Sequence, residues 1–567
     1  MIVGIDLGTT NSAAAIFRDG APVLVPNSLG DLLTPSAVAL APDGSILTGM
    51  AARERMVTEP LAARTLFKRS IGTQVRHKLG RKEFSSEELS SFVLRSLKAD
   101  VEAFTGEDVT RAVITVPAYF NDKQRKATRR AGELAGFTVE RLINEPTAAA
   151  LAYGIHELEE EQPFLVFDLG GGTFDVSIVE IFEGVIEVRS SAGDNRLGGE
   201  DFNTALSQLG LERIAGPAWK DIADPRFEEA VRDAAERTRR QLSDAAEAVF
   251  GFVWQGERFE TTIDSAAFEE RCASLLDRLR EPVIRSLRDG GTRVEELSEI
   301  VMVGGATRMP VVRRAATRMF GRFPATRVHP DHAVALGAAI QGALKERDAA
   351  LKEIRLTDVC PFTLGVETSE PMPGGGLRTG LFSPVIERNT VVPASRVETY
   401  STAQDGQRHV EFGIFQGESR LVAENVRLGK VSVPVPPKRA GAVAIDVRFS
   451  YDASGLLEVD VTVPETGETR QVVIADEEDA QDAATFEKRR AELARLKFHP
   501  REEDANRAVL ERAKRCYEGH LGDMRSYVAG LISRFENALD SQDLRIVASA
   551  REELAKSLDE VEGERIL

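Results

Sequence analysis

The sequence predicts three successive regions: a mixed α/β region, an antiparallel β-sandwich and a short helical segment. Two changes in residue pattern along the 567 residues support this division. Residues 1–350 alternate short apolar runs with long amphipathic stretches, which is typical of α/β domains. After a linker at 351–361, residues 362–478 lose helical periodicity and carry strand-like runs separated by Gly, Pro, Asn and Asp turns. Residues 479–567 are rich in Ala, Leu, Glu and Arg at helical spacing.

The composition argues against several classes of protein. Asp plus Glu is 90 against 72 for Lys plus Arg, so the formal net charge is −18. A basic surface for nucleic acid or an anionic membrane is therefore not expected. Cys272, Cys360 and Cys516 are odd in number and widely spaced, which favours a reduced, cytoplasmic chain without disulfides. No run approaches ~18 apolar residues, so no transmembrane helix is predicted, and a secretory signal is not expected.

One motif occurs twice in the α/β region. Residues Ile2–Asn11 and Leu165–Asp175 each read as a buried strand, an aspartate, a glycine-rich turn and a second apolar strand. The aspartates are Asp6 and Asp168. We expect such a repeat where two similar lobes face each other.

The repeated turns have the chemistry of a phosphate site. Glycines permit positive φ and let bare backbone approach an anion, and Thr9, Thr10 and Thr173 add hydroxyl donors. Asp6 and Asp168 could then hold Mg²⁺ through water. Either copy alone could be an ordinary β-hairpin, but two copies with matched aspartates favour a polyphosphate clamp. The sequence contains no G-x-x-x-x-G-K-[ST] motif, so it is not a P-loop enzyme.

A third glycine turn, Gly304–Ala306, follows an apolar strand and precedes a helix. A doubled glycine there could lie flat against a nucleoside, although the same pattern alone is more typical of ordinary α/β packing. His329 and His332 flank Asp331, but no third ligand is nearby in the sequence, so they do not indicate a metal site.

Six segments together resemble the DnaK-type chaperones, the seventy-kilodalton heat-shock family. The matching segments are Gly4–Ser12, Thr115–Asn121, Asn144–Gly154, Phe167–Asp175, Leu197–Phe202 and Val303–Arg308. The resemblance implies a two-lobed ATPase with the actin/hexokinase-like (ribonuclease-H-like) fold, then a peptide-binding β-sandwich, then a helical lid. The joint Asp358–Gly365 and the short lid are most similar to the HscC subgroup.

The resemblance also implies roles for individual residues. In this family a lysine near the γ-phosphate positions the attacking water, and Lys68 matches that lysine. Without the resemblance, Lys68 would be interpreted as a charge exposed to solvent. The other implied catalytic residues are Glu145, Asp168, Thr173 and Asp175, and the implied metal site is formed by Asp6 and Asp168, mostly through water.

The implied nucleotide contacts come from the three glycine turns, a fourth turn and one helix. On that helix Glu236, Arg239, Arg240 and Ser243 are spaced so that they share one face. Charged helix faces that contact only solvent show the same spacing. Arg239 stands where the family often has lysine, and its guanidinium can stack on adenine. The full set is Gly8, Thr9, Thr10, Asn11, Gly170, Gly171, Gly172, Gly198, Gly199, Glu200, Glu236, Arg239, Arg240, Ser243, Gly304, Gly305, Ala306, Arg308 and Asp331.

The resemblance places peptide binding in the β-sandwich and allosteric residues beside the linker. An extended apolar segment would bind by strand-like hydrogen bonds, with a groove lined by Val366, Tyr400, Val410 and Phe412. Alternating apolar residues are more often sandwich core. Pro117 and Arg125 match a proline switch and its relay, while Arg141, Asn144 and Asp358 match contacts for a J-domain co-chaperone.

The implied cofactors are ATP or ADP with Mg²⁺, and K⁺ is a further candidate ion. The implied partners are unfolded or extended polypeptides and a J-domain co-chaperone, without nucleic acid or membrane, and the chain is expected to be a monomer. The need for a nucleotide-exchange factor stays open, because Ser243–Ala267 is shorter than in typical members.

Further departures favour a specialised member. The linker run Ile354–Thr357 lacks part of the usual leucine-rich surface, Gly72–Val113 is short, and Glu370–Gly380 is an insert beside the expected groove. Two other classes share the fold of the first region, metabolic kinases and actin-like filament proteins. Neither accounts for residues 362–567.

Overall fold

A computed structural model gives the fold of most of the chain. It describes residues 1–154, 162–182, 185–214, 219, 222–325, 329–346, 351, 355–372, 376–392, 394–451, 457–473, 500–520, 522–540 and 544–563. Parts of three predicted features lie outside the described residues: 352–354 of the linker, 373–375 of the insert and 474–499 at the start of the helical end.

The first lobe is built on a mixed sheet in the order β11-β10-β1-β2-β3, in which β1, β10 and β11 are parallel and β4 pairs with β2. Its strands and those of the small sheets beside it are β1 Ile2–Asp6, β2 Asn11–Arg18, β3 Ala21–Val25, β4 Thr34–Pro35, β5 Val38–Leu40, β6 Ile46–Thr48, β7 Ala63–Arg64, β8 Arg76–Leu79, β9 Lys82–Ser85, β10 Arg111–Val116 and β11 Thr138–Asn144.

Four helices complete this lobe: α1 Gly49–Thr58, α2 Ser86–Thr105, α3 Asp122–Leu134 and α4 Glu145–Gly154. Local sequence defines where two of them begin. Ser85 with Glu88 and Asn121 with Gln124 form capping boxes, in which each side chain satisfies a backbone N–H of the other residue. Helix α2 ends at Gly106, whose φ of 75° is a left-handed conformation that glycine adopts without cost.

The second lobe repeats this architecture. Its sheet has the order β17-β12-β13-β14-β18-β21, with β12 parallel to β17. The elements are β12 Phe164–Leu169, β13 Phe174–Phe182, β14 Val185–Asp194, β15 Glu247–Trp254, β16 Glu257–Asp264, β17 Ile300–Val303, α5 Gly199–Arg213, α6 Pro225–Gln241, α7 Ser265–Arg271, α8 Ala273–Arg278, α9 Arg280–Asp289, α10 Pro310–Phe320 and α11 Ala333–Glu346.

The linker joins this sheet as a strand. β18 Arg355–Val359 pairs in parallel with β14, from Val185–Arg355 to Glu187–Thr357, and β21 Val391–Val392 pairs with its other edge. A segment predicted as a linker is therefore held by backbone hydrogen bonds between the sheet of the second lobe and β21 of the next region. The predicted domain boundaries at 350 and 361 stay predictions.

The β-region is a sandwich of two four-stranded antiparallel sheets. One has the order β20-β19-β23-β24 and the other β22-β25-β26-β27. The strands are β19 Leu364–Pro371, β20 Leu377–Ile386, β22 Ala394–Ser401, β23 His409–Gln416, β24 Val426–Pro434, β25 Ala444–Tyr451, β26 Leu457–Val463 and β27 Glu468–Val473. Alternate residues of β25 and β26, such as Val447, Phe449 and Val461, are fully buried between the sheets.

Three helices form the end of the chain: α12 Pro500–Glu518, α13 Gly522–Asp540 and α14 Leu544–Gly563. Helix α12 lies against α1 of the first lobe, where Arg55 Nη1 is 3.3 Å from Glu511 Oε2 and Arg515 Nε is 3.2 Å from Glu54 Oε2. Cys272, Cys360 and Cys516 are buried free thiols. Within the described ranges, no helix has the length and apolar character needed to cross a bilayer.

The two lobes meet where α11 packs across β1 and α4, and this contact requires glycine. A Cβ on Gly337 would overlap the carbonyl oxygen of Ala148, and a Cβ on Gly4 would lie 2.6 Å from the Ala339 Cα. Ala148 is one helical turn after Glu145. The close approach of the two helices therefore positions a candidate catalytic residue.

We expect Gly337→Ala to destabilise the protein by about 1–3 kcal/mol, because α11 must move away from α4 to admit the methyl group. Gly530→Ala is the matched control, since nothing lies within 4 Å of its Cβ position in α13. It should be neutral or stabilising by up to about 1 kcal/mol. Thermal unfolding of both variants measures this, and equal midpoints for the two would contradict the packing argument.

Candidate functional site

A cleft of about 580 Å³ lies between the two lobes, and the two repeated turns meet in it. The β1–β2 turn brings Gly8, Thr9 and Thr10, and the β12–β13 turn brings Gly170, Gly171 and Thr173. A Cβ on Gly171 would overlap the Thr10 hydroxyl. Only glycine allows the two turns to come this close, and their backbone faces one shared space.

Four carboxylates and one ammonium group lie at the base of this cleft. Lys68 Nζ is 2.7 Å from Glu145 Oε1, and both side chains are almost completely buried. Burial, and next the Glu145 carboxylate, raise the pKa of Asp6 to about 7 and that of Asp175 to about 8. Burial and the same neighbour also raise the pKa of Asp168 well above its ordinary value. The cleft therefore holds more negative charge than Lys68 compensates.

These carboxylates fit a divalent cation. The Oδ2 atom of Asp168 is buried and has no hydrogen-bond partner among the described residues, whereas Asp6 Oδ1 accepts from the Thr115 hydroxyl at 3.0 Å. Mg²⁺ commonly takes one or two carboxylates and keeps several waters or phosphate oxygens. Across the described ranges, no three or more His, Cys, Asp or Glu side chains are placed to hold a metal ion between them.

Helix α6 lines the other end of the cleft. Glu236, Arg239 and Arg240 of α6 face it, and Ser243 lines it from the turn that follows the helix. The Arg239 guanidinium donates from Nε to Asn203 Oδ1 at 2.7 Å, which fixes the plane of a buried group. Glu236 pairs with Arg240 on its own helix and with Arg53 on α1, across the cleft.

The third glycine turn closes the cleft from the second lobe. Gly304 has a φ of 81°, and a Cβ there would lie 2.8 Å from Asp168 Oδ1. Gly305, Ala306 and Arg308 line the cleft, and Arg308 Nη1 is 3.1 Å from Asp331 Oδ2. The rings of His329 and His332 stack with centroids 3.9 Å apart beside this pair.

Most predicted nucleotide residues line the cleft, but three predicted residues do not. Gly172 and Gly198 lie behind the lining, where a Cβ on Gly198 would overlap the Gly172 backbone nitrogen, and Asp175 lies deeper in the second lobe. Sequence reasoning missed five lining residues, namely Leu33, Asp244, Arg313, Pro330 and Val334. Leu33, Asp244 and Pro330 lie outside the helices and strands, whereas Arg313 lies on α10 and Val334 on α11. All five reach the cleft only through the tertiary fold.

Tyr119 lies in the matching segment Thr115–Asn121, but the sequence predicts no role for it. Its backbone N–H donates to Asp175 Oδ1 at 3.3 Å, and its ring lies 4.3 Å from that of Phe362 in the β-region. It therefore contacts both the base of the cleft and the neighbouring region. The only sequence signal was its position two residues after Pro117.

Three of the predicted allosteric residues, Arg125, Asn144 and Asp358, form one hydrogen-bonded chain. Arg125 donates to the carbonyls of Ala118 and Phe120 in the loop after Pro117, and to Asn144 Oδ1 at 2.6 Å. Asn144 in turn donates to Asp358 Oδ2 of the linker strand at 2.7 Å.

Arg141, a further predicted allosteric residue, instead contacts Gln341, at 3.3 Å. Asn144 is buried and bonded at both amide atoms, and the predicted contact of these residues with a co-chaperone stays a prediction.

The predicted peptide-groove residues lie inside the sandwich. Val366, Val410 and Phe412 are buried in its core. Tyr400 packs on Phe412 with ring centroids 5.5 Å apart and donates to the Ser383 hydroxyl at 3.0 Å. In this arrangement they serve as core, and the groove assignment stays a prediction.

The raised carboxyl pKa values predict a pH dependence of stability. From about pH 4 to pH 8 the folded state binds more protons at Asp6 and Asp175 than the unfolded state, so the free energy of unfolding should fall as pH rises through this range. Asp175→Asn removes one of these charges. We expect it to stabilise the chain at pH 8.5 by on the order of 1 kcal/mol or more, and less at pH 5.

Chemical unfolding with a metal chelator and no added ligand, at both pH values, measures this difference. Asp19→Asn is the matched control, because the Asp19 side chain is 95% exposed and asparagine tolerates its positive φ. The same stability change for Asp175→Asn at pH 5 and pH 8.5 would refute the assignment.

Comparison with known proteins agrees with this architecture. A family model described as Hsp70 protein matches residues 2–83 and 73–566. The chaperone protein DnaK of Thermotoga neapolitana is 37% identical over 577 aligned residues, covering 98% of this chain and 95% of that protein. The chaperone protein DnaK of Thermotoga maritima is 38% identical over 579 residues, with the same coverage of both chains. The chain belongs to the Hsp70 family.

Proposed function

We propose that this Hsp70 protein, an ATP-dependent chaperone, hydrolyses ATP in the cleft between its two lobes. The observation that supports this most is the meeting of the two glycine turns, Gly171 against Thr10, above the buried carboxylates and Lys68. Backbone of both turns would hold the phosphates, and α6 would hold the nucleoside. Asp6 and Asp168 would hold Mg²⁺, which supplies positive charge to the phosphates.

The protein's own residues perform the remaining chemistry by position and charge. Lys68, held by Glu145 at 2.7 Å, orients the attacking water and stabilises negative charge that develops on the transferred phosphoryl group. The Thr173 hydroxyl donates to the γ-phosphate. Asp168 lines the cleft and Asp175 lies behind it, and together they complete the acidic cluster that would surround the metal ion and the water.

The linker transmits the state of this site to the β-region. Asn144 directly precedes the catalytic Glu145 and is bonded to Asp358 of β18. The β-region also contacts both lobes directly: Asp122 N–H donates to Gln416 Oε1 at 3.2 Å in the first lobe, and Arg388 Nε is 2.9 Å from Asp289 Oδ2 in the second. A change in the lobes would thus alter the docking of the region that binds peptide.

Unfolded polypeptides are the clients of such a chaperone. We further propose a J-domain co-chaperone that acts through Arg141, Asn144 and Asp358, a monomeric state and a cytoplasmic location. K⁺ is proposed beside Mg²⁺, and dependence on a nucleotide-exchange factor stays open. A specialised, HscC-like role rests on the altered linker and the Glu370–Gly380 insert.

Lys68→Ala tests the catalytic assignment. We expect nucleotide binding to be retained and single-turnover hydrolysis to fall by about 10²–10³-fold, the usual effect of removing a group that stabilises the transition state. Thr173→Ala should behave similarly. Lys78→Ala is the control, since Lys78 is an exposed lysine in the same lobe that pairs with Glu83. Unchanged hydrolysis in Lys68→Ala would overturn the role of this residue.

Stimulation of ATP turnover by an unfolded peptide tests the coupling. The wild type should respond to the peptide and not to a sugar or polyol, which a metabolic kinase would phosphorylate. Asp358→Ala removes the bond to Asn144 and should abolish most of the stimulation, whereas Asp460→Ala on β26 should not. A wild type that binds ATP normally but shows no response to any tested peptide would contradict a coupled chaperone.

A further inference from the structure

Among the described residues, an ion pair spans the cleft at each of its two ends. Arg53 of α1 pairs with Glu236 at the nucleoside end. Arg69, in the turn Phe67–Ser70 of the first lobe, pairs with Asp201 of α5 at the phosphate end, with Nη2 2.8 Å from Oδ2. The second pair belongs to neither glycine motif, and the catalytic assignment does not use it.

A hydrogen bond within the second lobe also fixes the position of the Asp201 carboxylate. The same Oδ2 atom accepts the backbone N–H of Gly198 at 2.8 Å, at the start of α5. The Gly198 turn in turn packs behind Gly171 and Gly172. The carboxylate is therefore rigidly connected to the turn that would hold the phosphates.

Arg69 also contacts this turn directly. A Cβ on Gly172 would lie 2.8 Å from Arg69 Nε and 2.7 Å from Thr9 Cγ2. The guanidinium thus lies against the second phosphate turn, while the preceding residue, Lys68, points to the base of the cleft. One short segment of the first lobe provides both the proposed catalytic ammonium group and a connection to the second lobe.

The strength of this connection is moderate. The pair is about one-quarter exposed on each side, and Arg69 Nε is buried with no hydrogen-bond partner among the described residues. Opening the cleft breaks the charge pair but rehydrates this Nε group, and the two effects partly offset each other. Such a pair can slow the opening of the lobes without preventing it.

We propose that Arg69 is a positioning residue that holds the phosphate turn of the second lobe against the first and thereby sets the rate of nucleotide release. The proposal rests on the proposed function, since the nucleotide must occupy this cleft. Release requires the lobes to separate, and separation must break the Arg69–Asp201 pair. The pair should affect release more than the chemical step, because neither side chain lines the cleft.

The test uses the full-length protein, a fluorescent ADP analogue and stopped-flow displacement by excess unlabelled nucleotide. Arg69→Gln and Asp201→Asn should each release the analogue about three- to fivefold faster, which corresponds to the upper end of the usual strength of a partly exposed ion pair. Asp201→Asn keeps an amide oxygen for the Gly198 N–H. The double variant should be no faster than the faster single one, and Arg69→Lys should restore part of the slow release.

Single-turnover hydrolysis should change less than about threefold in the same variants. A general loss of structure would instead lower hydrolysis together with nucleotide binding. Arg76→Gln is the control, because Arg76 pairs with Glu88 inside the first lobe, at 3.4 Å. Release rates within twofold of the wild type in both single variants, or additive effects in the double variant, would overturn the proposal. If the wild type fails to bind the analogue at all, the proposed function fails instead.

Discussion

The buried negative charge at the base of the cleft is the constraint on which the rest of the structure depends. Asp6, Asp168, Asp175 and Glu145 are held together by four different elements, with Lys68 bonded to Glu145. Carboxylates in such a place raise one another's pKa values and favour a bound cation and proton uptake. Burying these charges together is unfavourable, and the packing of the two α/β cores on either side keeps the groups in place.

The same elements connect the charged cluster with the remainder of the chain. β11 ends at Asn144, the residue bonded to the linker, and α4 begins at Glu145. The loop after Pro117 bonds to Asp175 through Tyr119 and stacks on Phe362 of the β-region. The lid helix α12 rests on α1, which also extends Arg53 to the nucleoside end of the cleft. Each of the three regions therefore contacts an element that also forms the site.

Much of the site could be predicted because its residues lie in short, repeated motifs. Gly171 and Gly172 lie against the Thr10 and Thr9 side chains of the facing turn, where a Cβ would not fit, so the glycine pattern indicates this contact directly. Arg53, Arg69 and Asn203 could not be found in this way. They act through partners 183, 132 and 36 residues away, and an arginine or asparagine on a helix or turn is usually solvated. The predicted groove residues Val366 and Phe412 are packed in the sandwich core. Alternating apolar residues are typical of such a core as well as of a peptide groove, so the groove assignment stays a prediction.

The sequence by itself determined the order of the three regions, the two hairpins with their aspartates, and the helix face that carries Glu236 to Arg240. These follow from local periodicity and from turns that only glycine can form. The tertiary structure alone decided which residues connect the lobes, the linker and the lid: Asn144 with Asp358, Arg69 with Asp201, and Arg55 with Glu511. A charged or amide side chain contacts its partner only when distant segments fold together, and no local sequence pattern indicates which distant residue that partner is.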